Sequence, residues 1–146
     1  MAKAFSLEDG NQFGTSVVGA RSVDYSDIDL VFAPKPAGDV FKKTSVAAVK
    51  QSVKNLLMTN RFEKPFDTTF GGNLNDFLFE LETGDEAELI ADNIIEAVEL
   101  HEPRAKVINV DVNLRPETNN VRITVVFEIL SVGETVTLDL NLTRLR

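Results

Sequence analysis

Three consecutive runs of strict apolar–polar alternation dominate the C-terminal half of the chain. Ile108, Val110, Val112 and Leu114 alternate with Asn109, Asp111 and Asn113. Val121, Ile123, Val125, Phe127 and Ile129 alternate with Arg122, Thr124 and Glu128. Val136, Leu138, Leu140 and Leu142 alternate with Thr137, Asp139, Asn141 and Thr143. An extended chain turns successive side chains to opposite faces, so each run makes one dry face and one wet face. That pattern suits antiparallel strands covered on one side only. The links at Arg115–Asn120 and Gly133-Glu134 are short enough to join antiparallel neighbours. The reading is a three-stranded meander, with strands at about 106–114, 120–131 and 135–144.

Helical stripes precede the strands and supply what the dry face needs. Val46, Val49, Val53, Leu56 and Leu57 recur at three- and four-residue spacing, which predicts a helix at about 45–58 with Thr44 or Ser45 as its cap. Lys50, Gln51 and Lys54 fall off that stripe, on the surface. Asn73 opens a short helix at about 73–82 carrying Leu74, Phe77, Leu78 and Leu81. Asp85 and Glu88 form a capping-box-like start to a third helix at about 85–101, whose stripe runs through Ala87, Ile90, Ile94, Ala97, Val98 and His101. Pro103 disfavours helical geometry at Glu102 and ends it. The fold class is α+β: helices packed on one face of a three-stranded antiparallel β-meander.

Residues 1–40 read differently. Gly10, Gly14, Gly19, Gly38, Pro34 and Pro36 interrupt any helix there, and only Ile28–Phe32 alternates. We divide the chain into an extended N-terminal arm, 1–40, and an α+β domain, 41–146. The arm is either laid on another surface or a partly disordered tail.

Charge narrows the function. With 23 acidic and 15 basic side chains the net charge is −8, which argues against nucleic acid and anionic membranes as partners. Lys42-Lys43 is too short a basic cluster to reverse that. No apolar run approaches a bilayer span, and Lys3 is not followed by the apolar core of a secretory signal. The absence of cysteine excludes thiol catalysis, disulfides and thiolate metal sites.

Catalytic signatures are weak. His101 is the single histidine, and the last turn of a helix suits it structurally. Asp27 with Asp29, and Glu80 with Glu82, are close in sequence but belong more naturally to a solvated face than to a sugar cleft. Gly71-Gly72 lacks the Lys-Ser/Thr of a phosphate loop, and no Gly-x-Ser-x-Gly elbow occurs. We expect no enzyme, no catalytic, metal or cofactor-binding residue, and no cofactor.

Two features suit binding to other proteins. Glu102-Pro103-Arg104 ends a helix and leaves a five-donor guanidinium at a rigid exit, although on the triplet alone a helix stop followed by a surface arginine is the favoured reading. The last strand contains no proline and no charge on its apolar side, so it offers an edge to a partner strand unless the arm covers it.

Several motifs then recur in a fixed order. They are Tyr25-Ser26-Asp27-Ile28-Asp29, Pro65-Phe66-Asp67, Phe70-Gly71, the stretch Leu74–Glu80, Asn93-Ile94 with Glu96-Ala97-Val98, and Glu102-Pro103-Arg104. In this order they resemble the small baseplate wedge subunit of T4-like contractile-tailed phages, a family shared with the type VI secretion baseplate component and also labelled phage lysozyme-like. The resemblance covers about residues 25–145. It implies helices followed by a β-meander, and a structural role in several copies around the cyclic baseplate axis, near the tail tube. It implies that Glu102, Pro103 and Arg104 bind a helical bundle made by other wedge subunits. It implies that Thr135, Val136, Thr137, Leu138, Asp139, Leu140, Asn141, Leu142 and Thr143 form a strand platform for the tail sheath protein and template its first ring. It places the protein in the virion tail baseplate, assembled in the host cytoplasm. Residues 1–24 and the Asn60–Lys64 turn depart from the family pattern. The competing readings are a peptidoglycan-degrading lysozyme-like enzyme and a soluble adaptor outside the virion.

Overall fold

The computed structural model describes residues 25–36, 38–77, 86–115, 117 and 120–143. Chain order is β1 (Ser26–Ile28), β2 (Lys42–Thr44), α1 (Val46–Met58), α2 (Leu74–Phe77), α3 (Glu86–His101), β3 (Ala105–Arg115), β4 (Asn120–Ile129) and β5 (Glu134–Thr143). Strands β3, β4 and β5 form an antiparallel sheet in that order, and β1 pairs with β2 as a separate antiparallel hairpin. The expected strands and the outer two helices fall where the periodicity puts them. Leu78–Asp85, Arg144, Leu145 and Arg146 lie outside the described residues, and so do the Asp85 cap and the second half of the 73–82 helix.

Helices α1 and α3 cover the dry face of the sheet. Val49, Val53, Leu56 and Leu57 from α1 meet Ile90, Ile94 and Val98 from α3 over Val121, Ile123, Val125, Phe127 and Ile129 of β4. The central strand is therefore the driest, and Val136, Leu138, Leu140 and Leu142 extend the same layer across β5. Each such buried aliphatic side chain contributes about 1.5–3 kcal/mol.

Four local expectations are revised. Ile108 is exposed rather than core-facing, because the β3–β4 register shifts between Val107 and Asn109. That bulge inverts the alternation, and Val107 packs against the core instead. Ser45 makes no side-chain cap: it sits at φ 50°, ψ −122°, and its N–H donates to the Tyr25 carbonyl at 2.6 Å. The hairpin dictates the entry to α1. Gln51 is buried rather than on the surface, since its Nε2 donates to the Ile28 carbonyl at 2.8 Å beneath that hairpin. Finally, β1 stops at Ile28. Asp29 turns away, its carboxylate accepting from Val31 N–H and pairing with Lys43, and the alternation through Leu30 to Phe32 gives exposed side chains, not a strand.

Between α1 and α2 the chain forms an irregular loop tied to α3. Asn93 holds it at two points: its Nδ2 donates to the Gly72 carbonyl at 2.5 Å, and its Oδ1 accepts from Arg61 at 3.2 Å. His101 Nε2 lies 3.1 Å from the Thr69 carbonyl, with its ring 5.2 Å from Phe70. Gly71 is required here, because at φ 127° an added Cβ would lie 2.5 Å from the Thr59 carbonyl oxygen.

Candidate interaction surfaces

The end of α3 delivers Glu102, Pro103 and Arg104 to one place. Glu102 N–H still donates to Val98 at 2.8 Å, and Ala105 N–H donates back to the Glu102 carbonyl at 3.1 Å, so the chain turns at Pro103-Arg104 and enters β3 directly. Within this turn Arg104 and Glu102 form a two-point ion pair, Nε to Oε1 at 2.5 Å and Nη2 to Oε2 at 2.6 Å. Ser52 of α1 donates its hydroxyl to the same Oε2 at 2.5 Å. The Arg104 guanidinium lies over the Tyr25 ring at 5.0 Å.

Burial is unequal across the pair. The Glu102 side chain is 5% exposed and that of Arg104 31% exposed. Burial pushes the Glu102 carboxyl up, but the hydrogen bonds from Arg104 and Ser52 and the adjacent positive charge outweigh it and hold the group below the usual carboxylate range. Arg104 is raised above the ordinary arginine value, chiefly by its hydrogen bond to Glu102. Two of its five N–H donors are committed, which leaves the outer part of the fork available to an external acceptor. The triplet is thus a braced cation, not a loose surface arginine. Sequence reasoning found it but missed the braces, Ser52 and Tyr25. Nothing in the sequence of α1, which also carries Lys50, Gln51, Lys54 and Asn55, singles out Ser52.

The β5 strand has a different character. Its inner backbone pairs with β4 from Asn120–Thr143 to Ile129–Glu134 without a bulge. Lys50 of α1 donates its Nζ to the Thr137 carbonyl at 2.6 Å, so that carbonyl points away from β4. Alternation along an antiparallel strand then turns the backbone groups of Thr135, Asp139, Asn141 and Thr143 outward as well. Val136, Leu138, Leu140 and Leu142 point into the core. Among the described residues no other strand pairs with this edge.

No group of three His, Cys, Asp or Glu side chains among the described residues is placed to hold a metal ion. No described helix is long and apolar enough to cross a membrane.

Residues 43–133 match the family model described as baseplate wedge protein gp25. The chain belongs to that family. It is 35% identical over 88 residues to the baseplate wedge protein gp25 of Enterobacteria phage T4, spanning 60% of this chain and 67% of the T4 protein. Among solved structures it is similar to a chain of the anti-feeding prophage baseplate, with 27% identity and a TM-score of 0.67 over 74% of this chain and 87% of that one. A putative tail lysozyme from Geobacter sulfurreducens shares the fold at 22% identity, with a TM-score of 0.60 over 68% of this chain and 90% of that one. That second likeness concerns architecture alone. The gp25 family is structural, and this protein is a structural component of a tail baseplate.

Proposed function

We propose that this gp25-family subunit joins the inner wedge to the tail sheath, without catalysis. Glu102, Pro103 and Arg104 engage a helical bundle of other wedge subunits, with Arg104 donating to carbonyls at a bundle helix end. Thr135–Thr143 accept a strand of the sheath protein and template its first ring. Copies stand around the cyclic axis near the tail tube and assemble in the host cytoplasm, so individually weak contacts gain from multivalency. Nucleic acid and membrane are not partners.

The observation that carries this reading is the outer side of β5. It is a ten-residue, bulge-free edge whose apolar side chains are already buried, so a guest strand meets backbone and polar groups, and it must displace the Lys50 ammonium from the Thr137 carbonyl. Strand addition draws its affinity from such backbone.

The test introduces Asp139→Pro, which removes an outward-facing N–H without touching the β4 ladder. Baseplates carrying it are expected to assemble but to lack sheath in electron micrographs. Full-length sheaths on those baseplates would refute the strand platform. For the wedge contact, Arg104→Lys keeps the charge and loses the fork. It is expected to reduce co-purification with the bundle subunits, and undiminished co-purification would refute that role. Purified protein that clears peptidoglycan would overturn the non-catalytic assignment.

A further inference from the structure

The wet face of the sheet has a basic end. Where β3 finishes, β4 begins and β5 finishes, a shallow cavity of about 190 Å3 is lined by Arg115, Asn120, Arg122, Asn141 and Thr143. Strand register brings them together. Arg115 faces Asn120, which faces Thr143, and Asn113 faces Arg122, which faces Asn141. All five cavity residues project from the side of the sheet opposite the core. Arg115 and Arg122 are diagonal cross-strand neighbours, on the order of 7–8 Å apart at the backbone.

Internal hydrogen bonds decide what the cavity can hold. Arg122 Nε donates to Asn141 Oδ1 at 3.3 Å, and Thr143 Oγ1 donates to Asn120 Oδ1 at 2.6 Å. Both amide oxygens are therefore turned inward to local donors. The amide Nδ2 groups and the Nη groups of Arg122 are left to face the cavity. A depression that offers donors backed by permanent positive charge fits an oxyanion. It does so within a chain whose net charge is −8.

We propose that this cavity binds a carboxylate, supplied by an Asp or Glu side chain of the strand that adds to β5. The site follows from its own geometry; only the source of the carboxylate rests on the strand-platform reading. Asn141 and Thr143 are outward-facing edge positions, so residues paired with them on a guest strand place their side chains on this same wet face. Arg122 stands one strand further in, within reach of an acidic side chain there. The cavity also supplies what an edge alone lacks. Backbone pairing is nearly blind to sequence, whereas one seated carboxylate fixes the guest's register. A polyphosphate chain is disfavoured because it would have to approach an acidic protein.

The experiment uses full-length, isotope-labelled protein and follows the side-chain N–H resonances of its arginines, Asn120 and Asn141. Sodium acetate is titrated in, with inorganic phosphate and sodium chloride as parallel arms at equal ionic strength. Acetate is expected to shift the Arg122, Asn120 and Asn141 signals saturably. Arg122→Gln is expected to weaken this roughly tenfold or more. Asn141→Asp, which fills the cavity with its own carboxylate, is expected to abolish the response while the backbone spectrum stays folded. Shifts that are linear in salt and equal with chloride would overturn the site. Saturation at lower phosphate than acetate would overturn the carboxylate assignment. If acetate binds as described but Asp139→Pro baseplates still grow sheath, the guest strand is overturned as the source. If Asp139→Pro blocks sheath but acetate fails to bind, the cavity is overturned and the platform stands.

Discussion

Lys50 on α1 reaches past the dry layer to donate its Nζ to the Thr137 carbonyl, 2.6 Å away, on the outer side of β5. A lysine at a sheet edge discourages unwanted pairing, and this one occupies an acceptor that a guest strand would need. Lys50→Met should therefore expose the edge. The expected result is a stability loss of no more than about 1 kcal/mol in urea unfolding, together with increased self-association in sedimentation velocity.

Ser52 and Arg104 both serve the buried carboxylate of Glu102. Arg104→Ala leaves that charge with the Ser52 hydroxyl and the backbone N–H of residue 104, and should cost about 2 kcal/mol, less than a fully buried pair because Arg104 is partly exposed. Ser52→Ala should cost about 1 kcal/mol. Urea midpoints of the two single variants and the double variant test this, and non-additive losses are expected because the residues share one partner.

Glu102 gives a defined pH response. Its folded carboxyl lies below the ordinary value of 4.5, so on acidification the unfolded chain takes up this proton first. The associated stability is complete above about 4.5 and is lost as pH falls through the folded value. Between pH 7 and pH 3, wild type is expected to lose stability relative to Glu102→Gln. Parallel curves for the two proteins would show that the pair does not titrate as described.

Gly71 is expected to tolerate no side chain. Gly71→Ala drives a Cβ toward the Thr59 carbonyl oxygen and holds alanine at φ 127°. A loss of about 2 kcal/mol or more is expected, read as a drop of at least about 4 °C in thermal midpoint.

The meander was the most legible part of the molecule. Its alternation is a direct imprint of one-sided burial, and Val121 to Ile129 obey it residue by residue. Ile108 was illegible because a bulge is a property of pairing between strands, and nothing in Lys106–Asn109 taken alone announces it. Gln51 misled for a related reason. It lies off the apolar stripe of α1, yet the β1–β2 hairpin folds over it and supplies the Ile28 carbonyl. The Glu102-Pro103-Arg104 turn could be placed from Pro103 alone. Its bracing by Ser52 and Tyr25 could not, because those contacts cross 50 positions or more of sequence. The cavity at Arg115 and Arg122 escaped attention because the two arginines meet only through the β3–β4 register.

Lys50 and Ser52 stand two positions apart on α1, one touching the sheet margin and the other the acid of the helix-stop turn. A pull on the margin would thus arrive at that turn across less than one helical revolution, through a rod clamped by the core along its length. One stretch of α1 therefore ties the β5 margin to the helix-stop turn, so that the two cannot shift independently of each other.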